Sequence, residues 1–190
     1  MINKILVPLD GSPLSACVLP HVVTMARTTG AQVTLLRIIE HNHELFTSVN
    51  PAEWRLFKFE AQAYLDELQI QLAHWLATEP QTMVREGPAA DQIIEQAQQG
   101  DFDLVILSSH GQSGMSGWNI SSVAQKVIQR AGKSILLVRA YRIEPDCADR
   151  AWDTLPYHRI LVPLDGSQRA ESVLPIASAL AHQHDANLTL

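Results

Sequence analysis

Eight residues occur twice in this chain. Ile5 to Ser12 (ILVPLDGS) returns as Ile160 to Ser167, an offset of 155 positions. The register continues: Val18-Leu19-Pro20 matches Val173-Leu174-Pro175, and Ala31 to Leu35 correspond to Ala186 to Leu190. A period of this length is that of a domain and far too long for a solenoid repeat. The chain therefore divides into one complete unit, residues 1–140, a linker, 141–157, and the opening of a second unit, 158–190. The first unit is where a site is to be sought. The 33 residues of the second unit (158–190) are too few to build a core alone. Its strands would keep open edges, so either it is a fragment of a longer tandem protein or, as expected here, it docks on a partner chain or swaps.

Charge excludes several partners. Fourteen basic residues against 20 acidic ones give a net charge of −6, with no basic run. Nucleic acid and anionic membrane surfaces are poor partners for such a chain, whereas a small phosphate ligand remains open. The two cysteines, Cys17 and Cys147, make no framework. Cys17 falls on an apolar helix face and reads as a core residue. The N-terminus, Met-Ile-Asn-Lys, runs straight into a strand. It shows neither a signal peptide nor a membrane-spanning run, so a cytoplasmic location is expected. The sequons at Asn119 and Asn187 are then chance matches.

Periodicity supplies the elements. Lys4 to Leu9 is a β-branched run without polar alternation, as in a buried parallel strand. Ser12 is an N-cap with Pro13 at the first helical position. Leu14, Val18, Val22 and Ala26 continue at helical spacing to Gly30. Pro20 lies inside that pattern and lacks an amide hydrogen, which predicts a kink. Gln32 to Ile38 is a second strand. A helix opens at Pro51 and buries Phe57, Ala61, Leu65, Leu68, Leu72 and Leu76. Thr82 to Arg85 is a strand, Ala89 to Gln99 a helix, Asp103 to Leu107 a strand, Val123 to Arg130 a helix and Ser134 to Val138 a strand. Such alternation gives βαβ units and a parallel, doubly wound α/β sheet.

Ligands of open α/β sheets sit beyond the carboxyl ends of the strands, where the strand order reverses. Two loops suit that place. Asp10-Gly11-Ser12 follows the first strand, and a glycine- and serine-rich loop from Ser108 to Ser121 follows the fourth. Small residues before a helix let backbone N–H groups approach an anion, and the helix N-terminus adds about half a positive charge. Ser121 and Ser122 offer hydroxyls there. Asp10 can accept hydrogen bonds from a ribose or an adenine amine. The plainer alternative is that these residues only turn the chain and cap helices.

At this point the chain resembles the universal stress protein family, in its tandem form. The resemblance rests on ILVPLDGS, LLRIIE at the end of the second strand, EGPAADQIIEQA, and DLVILSSHGQSGMSGW followed by SSVAQKVIQRAGKSILLV. These span most of residues 1–140 in order, and the opening recurs in 158–190. The resemblance implies an open five-stranded parallel sheet in the order 3-2-1-4-5, Rossmann-like and of the adenine nucleotide alpha hydrolase-like kind, plus a partial second copy. It implies a stress-response protein that binds ATP or AMP, with Mg2+ as a companion, and that works as a homodimer with further protein partners. Members that bind nucleotide carry Gly-x2-Gly-x9-Gly followed by Ser or Thr. Here those positions are Ser108, Gly111, Ser121 and Ser122. If Ser121 needs a left-handed backbone, its Cβ costs about 1–2 kcal/mol, and Ser121→Gly should then strengthen binding. By the same resemblance Pro8, Leu9 and Asp10 line the adenosine pocket, and Ile38 meets adenine beside Leu107. His110, Gly111, Ser121, Ser122 and Val123 hold ribose and phosphates. Without the resemblance, His110 reads equally well as a surface histidine of a loop.

Two alternatives stand beside this reading. One is the same fold without nucleotide, acting only through protein contacts. The other is a nucleotidyl-transfer or pyrophosphatase-type enzyme, which needs a set of charged catalytic groups where the sequence offers only His110. The expected protein is thus a binding module, with slow ATP hydrolysis at most. Other signals lead nowhere. Gly132-Lys133-Ser134 lacks the rest of a phosphate-binding P-loop and precedes a strand. His41, Asn42, His43 and Glu44, and likewise His182 and His184, lack metal-ligand spacing. Ser109 and His110 lack the G-x-S-x-G turn of a hydrolase. Trp54, Phe57 and Phe59 read as helix packing.

Overall fold

The computed structural model describes residues 2–40, 51–112, 114, 120–140 and 157–190. Strand β1 (Lys4–Leu9) lies at the centre of a five-stranded sheet. Its side chains are buried on both faces, so neither face can be polar. Helices α1 (Pro13–Ala16) and α2 (Leu19–Thr29) lead to β2 (Gln32–Ile39), which runs parallel to β1 with Ile5 opposite Val33. Helix α3 (Pro51–Ala73) precedes β3 (Gln81–Glu86), and α4 (Ala89–Gln99) precedes β4 (Leu104–Ser108). Helix α5 (Ser122–Arg130) precedes β5 (Ser134–Val138). The order across the sheet is β3-β2-β1-β4-β5, all pairs parallel, as the resemblance implied.

Two cores form, one on each face. Ile5, Val7 and Leu9 pack with Val22 of α2 and with Leu65 and Leu72 of α3. Leu6, Leu36 and Val105 pack with Ile93 of α4 and Val127 of α5. Alternate residues of one strand thus seal opposite layers, each fully buried leucine or isoleucine contributing about 1.5–3 kcal/mol.

The structure corrects the expected kink. The helix predicted to run through Pro20 ends at Ala16 and a new one starts at Leu19, with Pro20 in its first turn. There a missing N–H breaks no intrahelical bond, so a break relieves the proline better than a bend.

The repeated segment has the same local structure. Strand β6 (Arg159–Leu161), helices α6 (Gln168–Glu171) and α7 (Leu174–His184), and β7 (Asn187–Thr189) follow one another. Gly11 and its counterpart Gly166 have φ of 77° and 78°, a left-handed turn that a Cβ would strain. Strands β6 and β7 form a separate parallel pair. The segment docks within its own chain: Ile176 and Leu180 of α7 pack against the core under α2. The Thr28 hydroxyl donates to Gln183 Oε1, its counterpart 155 positions on. Helices α2 and α7, which carry the matching sequence segments, thus touch at these residues. Leucines buried in the first unit are bare here: Leu6 is 0% exposed and its counterpart Leu161 72%, Leu35 0% and Leu190 70%.

Candidate functional site

Strand β1 sits between β2, reached by the first crossover, and β4, reached later on the other side. The carboxyl ends of β1 and β4 therefore open a crevice at the switch point. A cavity of about 800 Å³ lies there, in the range of sites for small organic ligands. Pro8, Leu9, Asp10, Ile38, Leu107, Ser108, His110, Gly111, Ser121 and Val123 all line it. Ser122, also expected there, begins α5 without reaching the cavity wall.

Asp10 ties the two loops together. Its Oδ1 accepts from Ser12 N at 2.9 Å and from Ser12 Oγ at 2.6 Å. Its Oδ2 accepts from Gln112 N at 2.5 Å, across 102 positions of sequence. Burial alone would raise the carboxyl pKa, but the hydrogen bonds from Ser12, Ser15 and Gln112 together hold it below the ordinary value. Gly111 permits this approach, because a Cβ there would stand 2.1 Å from Asp10 Oδ2. The turn beneath is fixed by Ser15 Oγ, which donates to Ser12 O at 2.9 Å, while Asp10 N donates to Ser15 Oγ at 3.3 Å.

The other wall is built around Ser109. Its N donates to Val138 O at 2.8 Å, and its O accepts from Ser121 N at 2.9 Å. Ser109 Oγ accepts from Ala140 N at 3.1 Å and lies 2.9 Å from His110 Nδ1. The hydroxyl has a second lone pair besides the one Ala140 N uses, so the contact fits either ring tautomer; when the hydroxyl donates to Nδ1, the His110 proton sits on Nε2. That Nε2 is buried and has no hydrogen-bond partner among the described residues. His110 is only 8% exposed, which overturns the surface-loop reading of this residue. Among the described residues no carboxylate engages the ring, so the adjacent Ser109 and His110 do not form a hydrolytic triad.

Ser121 also differs from expectation. Its φ is −56° and it caps α5, with Oγ accepting from Ala124 N at 3.2 Å. The position needs no left-handed backbone, so the serine carries no strain, and the hydroxyl meets a helix donor that would otherwise be bare. Gln125 N donates to Ser121 O. The N–H groups of Ser122 and Val123 belong to the first turn of α5, at its positive end. Ser108 ends β4 buried, where it pairs with Val138.

Sequence reasoning missed six polar residues of the cavity, Ser15 of α1 and Gln112 of the loop after β4 among them. Arg37 of β2, Tyr64 and Glu60 of α3, and Glu40 line it as well, with Phe57 beside them. The signal for Arg37 was a lone cation inside an apolar strand. Tyr64 carried none, since an aromatic at that helical spacing reads as core. Arg37 Nη1 donates to Leu9 O at 3.4 Å, its only hydrogen bond among the described residues. Burial lowers its pKa, against the opposing pull of Asp10 and Tyr64. The Tyr64 hydroxyl is buried and makes no hydrogen bond of good geometry among the described residues; burial pushes its pKa up, while Arg37 and the nearby Ser15 hydroxyl pull the other way. Trp54 and Phe57 meet edge to face, centroids 6.5 Å apart, but Phe57 is 43% exposed and Phe59 71%, so neither phenylalanine is buried as the helix pattern predicted, and α3 ends at Ala73, short of Leu76.

The metal readings gain nothing. His41, Asn42, His43 and Glu44 lie outside the described residues, as does Cys147. Among the described residues no group of three or more His, Cys, Asp or Glu side chains could hold a metal ion. Likewise no described helix is long and apolar enough to cross a membrane.

Relatives agree with this fold. The sequence profile of the Universal stress protein family matches residues 1–139. Universal stress protein MJ0531 of Methanocaldococcus jannaschii is 29% identical over 143 residues, covering 72% of this chain and 82% of that protein. Universal stress protein YxiE of Bacillus subtilis is 26% identical over 148 residues, 73% of this chain and all of that protein. Among solved structures, hypothetical protein MJ0577 superposes with a TM-score of 0.68 at 22% identity, over 75% of this chain and 99% of that one. A universal stress protein in complex with cAMP superposes with a TM-score of 0.55 at 20% identity, over 73% and 97%. The functionally unknown protein PA1789 of Pseudomonas aeruginosa, TM-score 0.64 at 18% identity, matches 98% of this chain with only 59% of its own length. The crevice at the switch point, the capped helix after β4 and the matched profile lead to one assignment: this chain belongs to the universal stress protein family.

Proposed function

We propose that this chain binds an adenine nucleotide, ATP or AMP, in the crevice above β1 and β4. The observation that carries the reading is an unsatisfied buried polar atom in the same cavity as a helix N-terminus. Among the described residues His110 Nε2 is buried without a partner in the cavity wall, and Val123, at the positive end of α5, lines the same cavity. A buried polar atom without a partner costs about 1–3 kcal/mol, and with the proton on Nε2 a phosphate supplies the missing acceptor. Asp10 Oδ1 is filled by Ser12, but Oδ2, which accepts from Gln112 N, keeps a lone pair for a ribose hydroxyl. Mg2+ would come with the phosphates, since the described residues offer no ligand cluster of their own. The cAMP complex of a protein with this fold is consistent with that use of the crevice.

The protein would act as a cytoplasmic stress-response module, dimeric, passing on its nucleotide state by ordering the loop from Ser108 to Ser121 around the phosphates. Residues 158–190 would be the opening of a second unit of the same kind, joined by a linker over 141–157. A second reading, contact with protein partners without nucleotide, is favoured by one observation: Gln112 N already occupies Asp10 Oδ2 at the cavity mouth.

The test is direct. The purified protein is denatured and the supernatant analysed for ATP or AMP by mass spectrometry. Ligand-free protein is then titrated with AMP, and with ATP and Mg2+, by calorimetry. Saturable heat that Asp10→Ala weakens supports the reading. No released nucleotide and a flat titration at millimolar adenylate transfer the case to the protein-contact reading.

A further inference from the structure

Among the described residues three buried side-chain atoms lack a hydrogen-bond partner: Tyr64 OH, His110 Nε2 and His184 Nε2. Tyr64 and His110 line the same cavity from opposite sides. His110 belongs to the loop after β4 and serves the phosphates of the proposed nucleotide. Tyr64 comes from α3 and stands on the far side of β1, where that nucleotide reading gives it no task.

Arg37 shares this second side. Its guanidinium lies over Gly11: a Cβ built there would be 3.4 Å from Nη2. One long bond to Leu9 O at 3.4 Å occupies a group with five N–H donors. No salt bridge neutralises it among the described residues. A half-buried cation and a buried phenol, both with donors to give, make a built receptor for an anionic oxygen group. The carboxylate between the two sides is Asp10, which is hydrogen-bonded to Ser12 and Gln112 and attracts Arg37 through space, without a hydrogen bond to the guanidinium among the described residues.

The place of this pair identifies the group it would read. Asp10 is the residue set to meet ribose hydroxyls, and Arg37 stands over the next residue in the chain. In dinucleotide-binding sheets an acidic residue holds a ribose hydroxyl, and a nearby arginine accommodates a phosphate placed on it. We infer that Arg37 and Tyr64 form a second phosphate subsite, selecting adenine nucleotides phosphorylated on the ribose 2′ or 3′ position as well as at 5′. The inference rests on the nucleotide reading above and deepens it. Glu60 and Glu40 on the cavity rim oppose an anion at longer range, and the fixed donors outweigh them only at contact distance.

Calorimetry with the full chain tests this, using AMP, adenosine 2′,5′-bisphosphate and adenosine 3′,5′-bisphosphate. One bisphosphate should bind about tenfold or more tighter than AMP, as expected for one added charge-assisted contact. Which of the two does so identifies the ribose position. Arg37→Gln should abolish that advantage while AMP affinity stays within about twofold, and Tyr64→Phe should reduce it part of the way. Both variants keep the shape of the site, and their circular dichroism and urea midpoints report folding separately. AMP binding with no gain for either bisphosphate overturns the subsite and leaves the nucleotide reading intact. An equal loss for AMP and bisphosphate in Arg37→Gln also overturns it, because Arg37 would then read a group common to both. If no adenylate binds at all, both readings fall together.

Discussion

Gly111→Ala is the sharpest perturbation this structure offers. The new Cβ would lie 2.1 Å from Asp10 Oδ2, and real contacts of this kind essentially never fall under 3.0 Å, so the atoms must part by about 0.9 Å. The carboxylate has little freedom to give way, because Oδ1 is pinned by Ser12 N and Ser12 Oγ at 2.9 and 2.6 Å. The bond that gives is Gln112 N to Oδ2, now 2.5 Å, which is carried beyond hydrogen-bonding range. A hydrogen bond to a charged group contributes about 1.5–3 kcal/mol, and partial exposure of Asp10 brings the expected loss to about 1–2 kcal/mol. Urea unfolding at pH 7 should show this as a lower midpoint at unchanged slope. The decisive control is the double-mutant cycle with Asp10→Ala. With the carboxylate gone the clash is gone, so Gly111→Ala should cost little in that background. An equal cost with and without Asp10 would refute the argument that Gly111 is small in order to admit this carboxylate.

Ser121→Ala should lower stability by about 1 kcal/mol through loss of the α5 cap, whereas Ser121→Gly should lower it by only a few tenths; because φ at Ser121 is −56°, Ser121→Gly should not tighten adenylate binding in calorimetry. Asp10 is held below its ordinary pKa in the fold, so its contribution is present above about pH 4 and is lost as pH falls through the lowered value. Urea titrations from pH 7 to 3 should therefore show a shallower acid limb in Asp10→Asn than in the wild type. His21 is pushed down to about 4 by burial, and its Nδ1 is hydrogen-bonded with Tyr157 OH at 2.6 Å. The unfolded chain binds the proton first, so the contact of the 157–184 region with α2 is at full strength above pH 6.5 and weakens as pH falls toward 4. Hydrogen exchange in α7 should rise over that window, and His21→Phe should flatten the response.

The amino-acid pattern alone determined the architecture. The β-branched run at Lys4 to Leu9, the cap at Ser12, and the alternation of strands with amphipathic helices state which faces are buried and where elements end, and they fix a parallel doubly wound sheet. The resemblance supplied the strand order and ten residues that do line the crevice. Local pattern also carries no information about partners distant in sequence. Asp10 and Gln112 are 102 positions apart, and nothing in either neighbourhood announces their bond. Ser121 looked strained as a replacement for glycine, yet its backbone is set by the helix it caps. His110 looked like a surface loop residue until Ser109, itself tied to β5, turned the ring inward. Arg37 and Tyr64 come from a strand and a helix whose periodicities describe burial against neighbours. Only the packing of α3 beside the β1 turn brings their donors to one wall, because convergence is a property of the space between elements and periodicity is a property of each element alone.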